Sequence, residues 1–155
     1  MCFNIFLKNY MDYEPLPIIS KDFPRVVIPL IESALDSIDI IVFDWRFYKN
    51  DPANAVSSFN HAIARASARG VNIRALVQNS GVCDSLKRIG VDARVLNSKR
   101  ILHTKLIIID KRRIIIGSHN YTQHAFTSNE EASIFVILQD KNNALVQYFN
   151  NLFGL

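Results

Sequence analysis

The segment LIIIDKRRIII, residues 106–116, constrains the fold most. Leu106 to Ile109 and Ile114 to Ile116 are aliphatic runs on either side of Asp110, Lys111, Arg112 and Arg113. Short, largely β-branched runs read as buried strands, and the charged reversal between them reads as an antiparallel hairpin. The residues at the open end of this hairpin are of a different kind. His103 and Lys105 precede the first run, Gly117, Ser118 and Asn120 follow the second, and Glu131 opens a later apolar run. Polar groups in such surroundings cost free energy unless they are paired or functional.

The remainder of the chain alternates between two periods. Residues 24–37 place Val27, Leu30, Ile31, Ala34 and Leu35 at helical spacing, with Pro24 near the start and Pro29 inside the pattern. Residues 39–47 read as a strand and 52–69 as a helix stopped by Gly70. A strand over 71–78, a short helix over 83–90 and a strand over 91–96 follow. After the hairpin come a strand at 133–138 and a closing amphipathic helix at 142–152. Residues 1–20 read as an N-terminal strand and loop. This alternation predicts an α/β fold: a mixed, largely parallel β-sheet flanked by helices, in one domain over residues 1–155.

Composition narrows the class. With 155 residues, 49% apolar and 21% charged, the chain is long enough for one substantial core. The net charge of +4 favours an anionic partner such as nucleic acid or an acidic membrane surface. Cys2 and Cys83 form no C-x-x-C pair, so neither a redox motif nor a zinc framework is indicated. The N-terminal residues lack a basic segment, and no apolar run approaches the roughly 20 residues that span a bilayer. A cytoplasmic protein without stable membrane association is the expectation. No His, Cys or carboxylate cluster has ligand spacing, so neither a metal nor another cofactor is expected.

The polar residues around the hairpin suit phosphodiester chemistry. In a strand, residues two apart share a face, which points His103 and Lys105 the same way. A neutral imidazole is a competent nucleophile, and a nearby ammonium can hold a phosphoryl oxygen. Ser118 and Asn120 can donate to an anionic oxygen. Glu131 can accept from the second imidazole nitrogen and steady the charge formed in reaction. Trp45 and Arg46 end a strand where open sheets hold ligands, so a base could stack on one and a phosphate meet the other. Lys99 and Arg100 either line the same groove or belong to a solvated loop. His61, His119 and His124 each lack a lysine two residues on.

The pattern His-x-Lys-x4-Asp-x6-Gly-Ser-x-Asn, carried by His103, Lys105, Asp110, Gly117, Ser118 and Asn120, resembles the HKD signature of the phospholipase D superfamily. Asn129-Glu130-Glu131 resembles the Asn-x-Glu that follows it, and the softer likeness spans roughly residues 20–155. The resemblance implies a phospholipase D-like fold and a metal-free mechanism. His103 would form a phosphohistidine, and a second motif histidine would protonate the leaving oxygen. Lys105, Ser118 and Asn120 would hold the phosphate, and Glu131 would orient His103. Asp110 matches the motif but carries a more structural family role. One motif in this chain implies a homodimer with its active site on the two-fold axis. Small single-motif members resemble endonucleases of DNA or RNA, which makes nucleic acid the expected substrate. The alternatives are a lipid phosphodiesterase or phosphatidyl transferase, and a catalytically silent nucleic-acid-binding module.

Overall fold

The computed structural model describes residues 14–48, 51, 53–96 and 99–154. Residues 1–13, including Cys2 and most of the expected N-terminal segment, lie outside the described residues. Seven strands form one mixed sheet: β1 (Leu16–Ile19), β2 (Ser37–Val42), β3 (Asn72–Val77), β4 (Asp92–Val95), β5 (Leu106–Ile109), β6 (Arg113–Gly117) and β7 (Ala132–Ile137). Helices α1 (Phe23–Glu32), α2 (Ala55–Ala68), α3 (Ser80–Arg88), α4 (Gln123–Thr127) and α5 (Ala144–Phe153) flank it. Spatial order is β1-β7-β6-β5-β2-β3-β4.

The mixed α/β sheet is as expected, but its parallel share is smaller. Only β2–β3 and β3–β4 pair in parallel, while the other four pairings are antiparallel. The reason is the hairpin. Its first strand, β5, docks antiparallel on β2, with Ile40 opposite Ile107, and so places β6, β7 and β1 beyond it. Two α-helical crossovers, through α2 and α3, account for the parallel half.

Local chemistry sets the helix starts. Asn54 Oδ1 accepts from Ser57 N at 2.8 Å, and Asn79 Oδ1 accepts from Gly81 N at 2.8 Å. Asn143 caps α5 through Leu145 N and Val146 N. Pro29 is accommodated inside α1, whose apolar residues Phe23, Val27 and Ile31 face the core.

The two faces of the sheet are covered unequally. Ile38, Ile40, Val42, Ile73, Ala75, Ile107, Ile109 and Ile115 face a large core shared with α1, α2, α3 and α4. The opposite face has α5, whose Val146, Phe149 and Phe153 pack on Ile41, Leu76, Leu106, Ile108 and Ile114. Arg74 fastens this helix: it pairs with buried Asp39 at 2.7 Å and donates to Asn150 Oδ1 at 3.1 Å. Its guanidinium also lies 4.8 Å from the centre of the Phe149 ring. One row of opposed residues crosses the sheet as Leu76, Ile41, Leu106, Ile116, Ile134 and Pro17. Leu76, Ile41 and Leu106 are buried, whereas Ile134 is 42% exposed. Among the described residues that face is therefore less covered towards β7 and β1 than over β3, β2 and β5. Among the described residues no helix is long and apolar enough to cross a membrane.

Candidate active site

The carboxyl ends of β2 and β6 and the amino ends of β5 and β7 meet at one end of the sheet. This is where open α/β sheets present ligand-binding residues. The hairpin register places Leu106 opposite Ile116, and Gly117 N donates to Lys105 O. Residues on either side of the hairpin are thereby brought together. His103 and Lys105 precede β5 instead of lying in it, so the two-residue strand period is not what groups them. Their own contact does that: Lys105 Nζ donates to the His103 carbonyl at 2.8 Å.

Lys105 is only 7% exposed. Burial pushes its ammonium below the usual lysine value, and the negative charge of Glu131 pulls it part of the way back. The His103 ring is exposed and has no hydrogen-bond partner among the described residues. It lies against Phe43, with ring centres 5.4 Å apart.

Gly117 makes the next feature possible. A side chain there would bring a Cβ within 2.3 Å of Ala132 O, so only glycine fits this approach of β6 to β7. The chain then bends, and Ser118 Oγ donates to Glu131 Oε2 while accepting from Ala132 N at 3.1 Å. Asn120 Oδ1 accepts from Asp44 N at 3.2 Å. That bond fixes the amide, and its Nδ2 group has no partner among the described residues, which leaves two N–H donors for a ligand.

Glu131 occupies the site without the expected bond. Its carboxylate takes hydrogen bonds from Ser118 Oγ and Asn129 Nδ2, the latter at 3.1 Å, and among the described residues none from the ring of its own His103. The physical reason is the β6–β7 register, which puts Ser118 opposite Ala132, the residue after Glu131. Buried His119 accounts for the backbone here. One ring nitrogen lies 2.8 Å from Ser133 Oγ and the other 2.9 Å from the Ser20 carbonyl. Ser20 N donates to Glu131 O at 2.9 Å, which ties that carbonyl to the core.

Asp110 keeps to its expected structural role outside the site, whereas the expectations for Trp45 and Arg46 need correction. Asp110 stands at the opposite end of β5 from the site. It accepts from the backbone N–H groups of Leu35, Asp36 and Ser37 and pairs with Arg113. Burial pushes the Asp110 carboxyl up, but these hydrogen bonds outweigh it and hold the group below its usual range. Trp45 is 1% exposed, donates to Asn60 Oδ1 at 2.7 Å and packs edge-on against Tyr121, so it belongs to the core. The chain leaves the sheet after Val42, and the bridge between Trp45 and Tyr121 turns the indole inward. Arg46 does stay at the surface, but both its Nε and its Nη2 bond the Asp44 carboxylate. Phe43 was not foreseen. The sequence carries no local signal for it, because the strand ladder ends at Val42.

Among the described residues, His, Cys, Asp and Glu side chains form no group of three or more able to hold a metal. A family profile described as "Cardiolipin synthase, PLD-like domain" matches residues 27–153. The chain belongs to the phospholipase D superfamily. Relatives include a phospholipase D of Rickettsia prowazekii, 29% identical over 136 residues, which are 84% of this chain and 60% of that protein. A phospholipase D of Rickettsia conorii is 33% identical over 96 residues, or 58% of this chain and 48% of that one. The chain thus spans about half to three fifths of these curated relatives. Among solved structures, the phospholipase D family member Nuc from Salmonella typhimurium superposes with a TM-score of 0.75 at 19% identity. That match covers 90% of this chain and 95% of Nuc, and it shows a shared fold.

Proposed function

We propose that this protein is a metal-independent phosphodiesterase, a nuclease acting through a phosphohistidine in a homodimeric active site. The observation that carries the reading is the convergence of three groups at one sheet end. These are the exposed His103 imidazole, the buried Lys105 ammonium and the uncommitted Asn120 amide. Lys105 and Asn120 would bind the two non-bridging phosphate oxygens, and their charge and dipoles act where negative charge builds up. A nitrogen of His103 attacks phosphorus as the bond to the leaving oxygen breaks, and the His103 of a second copy gives that oxygen a proton. Water then attacks the phosphohistidine, returning its proton to the second imidazole. Ser118 Oγ donates its hydrogen bond to Glu131 in the free subunit, so it would donate to phosphate only after reorienting.

One subunit supplies one such histidine, which motivates the dimer. The exposed apolar side of β7 and β1 suits it, because Ile134 continues the apolar row that α5 covers elsewhere and exposed Ile19 stands on the same face. This face runs up to Ala132 and Gly117, beside the site. Two copies related by a two-fold axis would bury it and bring both imidazoles to a common centre.

Net charge favours a nucleic-acid substrate. A lipid reading draws on the Rickettsia relatives, which are phospholipases D, and on one local feature. Ile101, two residues before His103, is 73% exposed and follows Lys99 and Arg100. Incubation in EDTA with single-stranded DNA, plasmid, RNA and phosphatidylcholine vesicles separates the two. Polymer cleavage that survives chelation and disappears in His103→Ala supports the nuclease. Turnover of lipid alone supports the second reading. Sedimentation of Ile134→Asp should show a monomer with little activity, and a fully active monomer would defeat the shared site.

A further inference from the structure

We propose that Phe43 is the positioning residue of the His103 imidazole, holding the nucleophile's ring plane in the orientation that attacks phosphorus. The inference rests on the reading of His103 as nucleophile and adds a residue to it. Phe43 follows the last residue of β2 and keeps 38% of its surface exposed, although the strand it leaves is buried. Core packing does not explain an exposed phenyl at that place. Its neighbours do: the His103 ring lies 5.4 Å away at an interplanar angle of 51°, and Lys105 Nζ lies 5.6 Å from the phenyl centre.

The imidazole has no hydrogen bond among the described residues, and Lys105 holds only the main chain of His103. Among the described residues, the phenyl ring is the aromatic neighbour that limits rotation of the imidazole side chain. An exposed ring free to rotate loses near-attack geometry, and a displacement of about 1 Å costs on the order of a hundredfold in rate. The phenyl also offers an electron-rich face to the ammonium, and later to the charged imidazole ring.

Phe43 is itself fixed by the residues that present Asn120. Asp44 N donates to Asn120 Oδ1 at 3.2 Å, and Tyr121 N donates to Asp44 O at 2.9 Å. The backbone after Phe43 is thus stapled to residues 120 and 121. One short segment sets both the phosphate-facing amide and the wall behind the nucleophile.

The test compares wild type, Phe43→Tyr, Phe43→Leu, Phe43→Ala and His103→Ala on bis(p-nitrophenyl) phosphate and on a single-stranded oligonucleotide. Phe43→Tyr keeps the ring and should retain kcat within about threefold. Phe43→Leu and Phe43→Ala should lose roughly tenfold to a hundredfold in kcat, with KM within about twofold. In ¹H–¹³C spectra of the full chain, the His103 ring resonance, assigned by its loss in His103→Ala, should move in Phe43→Leu and hold in Phe43→Tyr. A rise in KM at unchanged kcat would make Phe43 a substrate contact and overturn the proposal. An unmoved His103 resonance would overturn it as well. If Phe43→Ala does not fold, the Tyr and Leu pair decides. Activity remaining in His103→Ala sinks the nucleophile reading, whereas a dead His103→Ala beside a fully active Phe43→Leu sinks the positioning role alone.

Discussion

Asp110 belongs to the signature that marks this family, yet its replacement should cost stability and leave turnover in place. Its Oδ1 accepts from Asp36 N at 2.8 Å, Ser37 N at 3.1 Å and Leu35 N at 3.2 Å, and Arg113 pairs with Oδ2. These bonds hold the 110–113 turn against the entry of β2. Hydrogen bonds to a charged acceptor contribute about 1.5–3 kcal/mol each when buried. Leu35 and Asp36 are exposed, so water can replace the carboxylate there, and roughly 1 kcal/mol for each of the three donors is the better figure. Asp110 also has φ of 51°, a conformation that aspartate tolerates better than alanine. Asp110→Ala should therefore lose about 3–4 kcal/mol, and Asp110→Asn, which keeps an acceptor, about 1–2 kcal/mol. At about 2–4 °C per kcal/mol for a chain of this size, Asp110→Ala should melt roughly 6–16 °C lower. Thermal unfolding by circular dichroism measures this, with kcat taken well below both melting points. Unchanged melting together with lost turnover would refute the reasoning and move Asp110 into the chemistry.

Other outcomes follow from the same geometry. Lys105→Met should lower kcat by at least about a hundredfold, while its melting temperature holds or rises because a buried ammonium is removed; a stopped assay and a melt on one sample suffice. Trp45→Phe should cost about 1–3 kcal/mol through the lost bond to Asn60 and leave nucleic-acid affinity unchanged by fluorescence anisotropy. Burial holds His119 below the usual histidine value of 6.5, against the opposing pull of its bond to Ser20 and the charge of Glu131. The unfolded chain therefore takes up a proton first as pH falls. The His119 contribution to stability is complete above 6.5 and declines as pH drops towards the depressed folded value. Urea unfolding at about pH 7 and about pH 5 should show this loss, and His119→Gln should reduce it.

Much of this site was legible because its spacing is local. A strand, a tight charged turn and a second strand fold back at fixed length, so His103 and Lys105 had to meet Ser118 and Asn120. The same local logic missed Phe43 and misplaced Trp45. The chain leaves the sheet after Val42, and period-two alternation stops where the hydrogen-bonded ladder stops. Beyond that point a tertiary contact, Trp45 against Tyr121, decides which aromatic is buried. The sheet tells a similar story. Alternating strands and helices correctly gave β2, β3 and β4 in parallel, but no local signal fixes the strand beside which a hairpin inserts. Insertion at β2 reversed the balance of parallel and antiparallel pairs and set the reactive end of the hairpin beside Phe43 and Asp44. On the proposed reading, the motif supplies the reactive groups, and the non-local β2–β5 pairing supplies the wall and the staple that orient them. Intact motif residues should therefore be insufficient: a chain with its 43–44 segment displaced would keep His103, Lys105 and Asn120 and still react slowly.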